Sequence, residues 1–252
     1  MAAMLLPLVL VGTNVAHAAP APEALLVGDS VMNGMAQSYG ASARAQLAAR
    51  HTYLLETKGC RRLITTSCRI GDNPAPTNAI TVIRSRAGAY RTAIVVGAGY
   101  NDPTTGSVGL RTAIDVVLNE ARRQHVPYVV WLTYRVAGPS ASRFAAHNAL
   151  LRARAASEPM LLIADWARRT APLPTTWFSG DGIHLGREAT VVMADLIGDT
   201  LDVIARAWSG SRCVVTATSV AAPPPVSTTP TRPAPAGATA TRRATRLMLW
   251  CP

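Results

Sequence analysis

The stretch Ala24-Leu25-Leu26-Val27-Gly28-Asp29-Ser30 decides how this chain folds. Its apolar residues run on without in–out alternation and stop at a polar turn. A short run of that kind reads as a strand covered on both faces. The pattern recurs at Ala93–Val96, Tyr128–Leu132 and Met160–Ala164, and more weakly at Tyr53–Thr57. Helical stretches lie between: Val31–Arg50, Asn78–Ala87, Val108–Gln124, Ser140–Ser157 with a Ser cap, and a closing Arg187–Ala207. Regular alternation of strand and helix implies parallel strands joined by right-handed crossovers. The expectation is an α/β fold: a three-layer α/β/α sandwich with a five-stranded, mainly parallel sheet, in one domain over 23–208.

The chain has 252 residues, 49% apolar and 15% charged, which is enough to bury a full core and excludes an obligately disordered protein. Lys58 is the only lysine among 25 basic residues, and the net charge is +11. Charge of this sort governs solubility and non-specific contacts rather than fold. Arginines spread out with few interleaved aromatics argue against specific nucleic-acid recognition. Beyond Trp208 the composition shifts to Ala, Thr, Ser and Pro. Residues 209–252 carry five arginines and no acid, almost half of the excess charge, and read as a disordered tail. Such a tail reads first as an inert linker or wall spacer, with contact to an anionic cell-envelope polymer as the alternative.

Leu5–Val15 is a short apolar run followed by Ala16-His17-Ala18. It is too short to span a bilayer and fits a secretory signal peptide over 1–18, although no Lys or Arg precedes it. A secreted or envelope-associated protein, expected as a monomer, is permitted disulfides. Cys60 and Cys68 flank a short loop and are the favoured pair; closing it is worth roughly 2–3 kcal/mol in the chain-entropy model. Cys213 and Cys251 pair with each other or stay free. With neither C-x-x-C nor H-E-x-x-H, no metal site is expected. Gly97-Ala98-Gly99 is not a dinucleotide fingerprint, because Asp102 stands where the last Gly belongs and Pro103 follows. No cofactor is expected.

In doubly wound sheets ligands sit beyond the carboxyl ends of the strands. There the sequence places Gly28-Asp29-Ser30, Gly59-Cys60-Arg61, Gly99-Tyr100-Asn101-Asp102 and, past a Trp-bearing turn, Asp181-Gly182-Ile183-His184. Singly these are turn and cap residues. Together they make nucleophilic catalysis. A serine hydroxyl needs a base to take its proton, and histidine is the usual one. A carboxylate on the far ring nitrogen holds the right tautomer. Asp181 and His184 are close enough in sequence for a tight turn to join them. The Ser30 and Gly59 N–H groups and the Asn101 amide supply donors for a tetrahedral oxyanion. Each such donor is typically worth about 3 kcal/mol in the transition state.

This set resembles the SGNH hydrolases, a branch of the GDSL esterase/lipase group. The matching residues are G-D-S-V at Gly28–Val31, Gly59, G-Y-N-D at Gly99–Asp102, and D-G-I-H-L at Asp181–Leu185. The resemblance spans about Ala24–Trp208 and implies a flavodoxin-like sheet. It implies Ser30 as nucleophile, His184 as base and then acid, and Asp181 as its orienting carboxylate. Ser30, Gly59 and Asn101 would form the oxyanion hole, with Gly71 the competitor for Gly59. The implied activity is hydrolysis of carboxylic esters of glycans, cell-envelope polymers, lipids or small molecules. Transfer of the acyl group to a sugar hydroxyl uses the same residues, and a non-catalytic carbohydrate-binding module is the rival outside enzymes.

Other residues read as structural. Asp29 bonds nearby backbone, Asp102 holds the loop that aims Asn101, and Asp165-Trp166 is a turn and packing element. Tyr100, Trp177 and Phe178 are candidates for the pocket wall. Arg61 and Arg62 face solvent or an anionic substrate. His51, His125 and His147 have no partner that the sequence names.

Overall fold

The computed structural model describes residues 23–102 and 109–208. The expected signal peptide over 1–18, the expected tail over 209–252, and with it Cys213 and Cys251, lie outside the described residues. Five strands form one sheet: β1 (Ala24–Gly28), β2 (Tyr53–Thr57), β3 (Ala93–Gly97), β4 (Tyr128–Leu132) and β5 (Leu161–Ala164). Their order is β2-β1-β3-β4-β5 and every pairing is parallel. The α/β/α sandwich is as the alternation of patterns implies. Helices α1 (Ala41–Ala48), α2 (Ala79–Ser85), α3 (Leu110–Arg123), α4 (Ala141–Ala155), α5 (Trp166–Thr170) and α6 (Arg187–Trp208) complete the layers. None among the described residues is long and apolar enough to cross a membrane.

Every residue of β1 and β3 is buried, as two-sided cover requires, whereas edge strand β2 is only half-buried. Fully burying one Val, Leu or Ile side chain contributes roughly 1.5–3 kcal/mol, and the central strands are built from them. α1 packs on α6, and α2 on α3. Charge ties the outer layers. Arg154 of α4 meets Asp115 of α3 at 3.0 Å, and Arg50 after α1 meets Asp199 of α6 at 2.9 Å. His51 is not without partners: its ring is buried between Glu23 and Asp202, 2.9 Å from each.

Two local expectations need correction. The stretch Val31–Arg50 is not one helix: 3-10 turns at Met32–Ala36 and Ser38–Gly40 precede α1. Gly40 passes so close to the Gly34 and Met35 carbonyls that a β-carbon there would sit 2.5 Å from both. The tight approach forces a corner where composition alone suggests a continuous helix. Ser140 does precede α4, but its side chain makes no capping bond. Asn78, by contrast, caps α2 by accepting from Thr81 N–H at 3.0 Å.

The chain enters the sheet on β1, steps to β2 on one side, and later resumes at β3 on the other. The reversal makes the carboxyl ends of β1 and β3 the switch point where such sheets hold ligands. Those ends are level, with Gly28 opposite Gly97. Both are glycine because Met32 packs over them; a β-carbon on either would lie within 2.4 Å of its side chain. Asp29 then locks the two ends together. Its carboxylate, 0% exposed, accepts from Val31 N–H with one oxygen and from Gly99 and Tyr100 N–H with the other, all at 3.0 Å. Burial is the largest influence on this group and pushes its pKa from 3.8 up to about 6, against the pull of those three donors.

Asp29→Asn turns an acceptor into an NH2 group facing buried donors, each of which costs about 1–3 kcal/mol when orphaned. A lower thermal midpoint is expected at pH 7. Folded Asp29 keeps its proton to about pH 6 while the unfolded chain releases it near 3.8. Between those values the fold binds more protons, so this group's contribution to stability falls as pH rises. Melts of both proteins from pH 4 to 7 should show the wild-type advantage shrinking across that window.

Candidate active site

A cleft of about 120 Å³ opens beside the switch point. Ser30, Tyr100, Asn101, Asp181 and His184 all line it, with Ala137–Ser140, Arg143, Phe144 and Ile183 as further wall. The loops after β1 and β3 and the loop preceding α6 thus meet in one place.

The segment 178–186 is a short hairpin. Phe178 bridges Leu185, Ser179 N–H donates to His184 O at 2.9 Å, and Gly186 N–H donates to Trp177 O at 2.7 Å. Gly182 turns it at φ 74°, a left-handed value that favours glycine. The turn brings Asp181 back onto His184. One carboxylate oxygen accepts from Ile183 and His184 N–H at 3.0 and 3.1 Å, and the other bonds the His184 ring at Nδ1. Burial pushes the Asp181 pKa up, but those donors outweigh it and hold it below the ordinary value. The carboxylate stays ionised and the ring's Nε2 is left for other work.

Ser30 and His184 share the cleft, but no hydrogen bond joins the Ser30 hydroxyl to the ring. Catalytic bonds of this kind often tighten only once substrate is bound. The Ser30 and Gly59 N–H groups donate to no protein acceptor among the described residues. Neither Gly59 nor Gly71 lines the cleft wall. Asn101 Nδ2 gives one hydrogen to Arg61 O at 3.3 Å, and its second has no acceptor among the described residues.

The loop after β2 is tied down on every side. Lys58 N–H donates to Gly28 O at 3.2 Å, and Leu63 N–H to both Asp102 carboxylate oxygens at 3.1 Å. Asp102 therefore does hold the Asn101 turn. Burial raises its pKa to about 6, against the Leu63 bond and the charges of Arg62 and Arg143. Cys60 and Cys68 are disulfide-bonded, with Cα atoms 5.2 Å apart. Cys60 sits at φ 62°, a conformation costly for a non-glycine residue and kept only where its surroundings impose it. Arg61 faces neither solvent nor substrate. It is 3% exposed, and its guanidinium donates to the carbonyls of Gly28, Glu56 and Thr77. Desolvation of this charge lowers its pKa.

Of the aromatic candidates only Tyr100 reaches the cleft wall. Phe178 packs beneath Arg135, 3.8 Å from the guanidinium carbon to the ring centre, and lies edge-on to Trp166. Arg135 is a residue the sequence reading missed. Its Nε donates to Gly182 O at 2.7 Å, another guanidinium nitrogen donates to Thr170 O, and its own N–H donates to Tyr100 Oη at 2.8 Å. It fastens the histidine hairpin to the end of β4. The sheet rule applied to the residues after β4, Thr133-Tyr134-Arg135, is the signal that finds it. Arg143 was also missed, and its place on α4 leaves no such signal.

No protein-family model and no curated protein matches the chain by sequence. Solved structures do match in fold. The C-terminal catalytic domain of Streptococcus pneumoniae peptidoglycan O-acetyltransferase A, carrying a methylsulfonyl adduct, has a TM-score of 0.55 at 18% identity, over 73% of this chain and 95% of that one. Est24, a carbohydrate acetylesterase from Sinorhizobium meliloti, has a TM-score of 0.53 at 13% identity, over 71% and 98%. A member of the lipolytic G-D-S-L family from Veillonella parvula has a TM-score of 0.52 at 14% identity, over 71% and 98%. The fold is that of the SGNH and GDSL-type esterases and lipases.

Arg135→Met should strand the Gly182 and Thr170 carbonyls and lower unfolding stability by about 2–4 kcal/mol. Urea titration reads this directly. A loss below about 0.5 kcal/mol would mean that the hairpin is held by other contacts.

Proposed function

We propose that this chain is an exported serine esterase of the SGNH type, cleaving short-chain carboxylic esters on glycans or other cell-envelope material. The observation that carries the reading is the Asp181–His184 pair, bonded at Nδ1 in the same cleft that Ser30 and Asn101 line. Ser30 Oγ attacks the acyl carbonyl as His184 Nε2 takes its proton. Asp181 keeps the other ring proton on Nδ1 and steadies the imidazolium that forms. Negative charge builds on the former carbonyl oxygen, where the Ser30 N–H and the Asn101 amide hydrogen that has no acceptor among the described residues receive it, and the Gly59 N–H, on the loop after β2 and outside the cleft wall, is the proposed third donor. Collapse of the tetrahedral species expels the alcohol, which takes the proton from His184. Water, activated by the same imidazole, then attacks the acyl-serine and regenerates Ser30.

The cleft volume supports small acyl groups, since drug-sized ligands need roughly 300 Å³ or more. The likeness in fold to a carbohydrate acetylesterase and to a peptidoglycan O-acetyltransferase supports a glycan as the alcohol part. In the acyltransferase variant of this reading a sugar hydroxyl replaces water in the second half-reaction, and the residues keep their roles.

Hydrolysis of 4-nitrophenyl acetate, butyrate and octanoate by wild type and Ser30→Ala tests the proposal. Wild type should favour acetate over octanoate by about tenfold or more, and Ser30→Ala should lose at least about 10³-fold in kcat. Activity that survives the substitution rejects the assigned nucleophile. Adding a soluble glycan acceptor and analysing products separates transfer from hydrolysis.

The Cys60–Cys68 bond closes the loop that presents Gly59. Reduction, verified by thiol titration, should lower kcat by about tenfold with little change in KM, because misaimed donors hurt the transition state most. An unchanged kcat would remove the disulfide from the account of turnover.

A further inference from the structure

We propose that Arg143 is a positioning residue for the Asn101 amide, an inference that rests on reading Asn101 as an oxyanion donor. Three successive carbonyls around that donor accept from arginine. Arg143 Nη2 donates to Tyr100 O at 3.1 Å and its Nη1 to Asp102 O at 3.3 Å. Arg62 Nε donates to Asn101 O at 3.1 Å. Arg143 therefore straddles Asn101, gripping the chain before and after it from α4.

The planar guanidinium suits this grip. It offers two nitrogens in fixed relation, and an ammonium cannot reproduce that spacing. Its own orientation is set by Phe144, whose ring centre lies 4.9 Å from the guanidinium carbon. Phe144 is wedged in turn against Tyr100 and Tyr134, at 4.9 and 5.9 Å between ring centres. Arg143 Nε is buried and has no acceptor among the described residues.

The Asn101 turn is thus held by Asp29 at its start, by the loop after β2 on one flank, and by Arg143 on the other. Among the described residues, Arg143 is the one that does so by hydrogen bonds from the cleft wall itself. A donor that meets the oxyanion matters mainly in the transition state, so a tilt of this turn lowers kcat and leaves KM nearly unchanged. A direct substrate contact by Arg143 would act on KM instead.

The test is a double-mutant cycle on 4-nitrophenyl acetate with wild type, Arg143→Met, Arg143→Lys, Asn101→Ala and both combinations, with thermal midpoints measured alongside. Arg143→Met and Arg143→Lys should each lower kcat by about tenfold or more and change KM by less than about threefold. In the Asn101→Ala background the same substitutions should cost less than about threefold further, since the group they aim is gone. Wild-type kcat in either single variant, a loss confined to KM, or the same fold-loss in both backgrounds overturns the proposal. Should Arg143→Met not fold, the Arg143→Lys arm decides. If Asn101→Ala alone keeps wild-type kcat, the reading of Asn101 fails first, and the inference about Arg143 falls with it.

Discussion

A single buried carboxylate organises this molecule. Asp29 spends its acceptor capacity on three backbone N–H groups, one just beyond its own strand and two beyond the neighbouring strand. Those bonds fix where Ser30 leaves β1 relative to where Tyr100 and Asn101 leave β3. The same burial lifts the carboxyl's pKa to about 6. An apolar crosslink could not satisfy three donors at once, and an exposed carboxylate would not hold them in place.

Around that junction the site is assembled from backbone carbonyls and arginines more than from side-chain pairs. Arg61 gathers the ends of β1 and β2, Arg62 and Arg143 the turn after β3, and Arg135 the hairpin that carries His184. Guanidinium groups suit this work because they offer several donors in a rigid plane and stay charged even when partly desolvated. These four arginines are therefore structural parts of the site's surroundings. The outer ion pairs at Arg50 and Arg154 do the corresponding task between helices at more exposed positions.

The sheet was legible because β1, β3 and β4 are uninterrupted apolar runs, a pattern that only two-sided burial explains. The Asp181–His184 contact was legible because it is local, three residues and one glycine apart. What escaped was non-local or depended on close approach. Nothing in the stretch 31–50 announces that Gly40 must pass against Gly34, so the helix there was drawn too long. Arg61 looked like a surface cation because sequence does not reveal which carbonyls a folded loop leaves pointing inward. His51 seemed solitary because its partners, Glu23 and Asp202, lie 28 and 151 residues away.

The level pairing of Gly28 with Gly97 has a consequence for how this scaffold tolerates change. Parallel strands advance about 3.3 Å per residue. Losing or gaining one residue within Ala24–Gly28 would shift the serine by that step against the asparagine and turn β1's core faces inside out. The two strands act as a vernier, set to one graduation. Insertions are accordingly expected to be tolerated best in connections that do not touch the scale, such as the exposed segment around Gly71–Asn73.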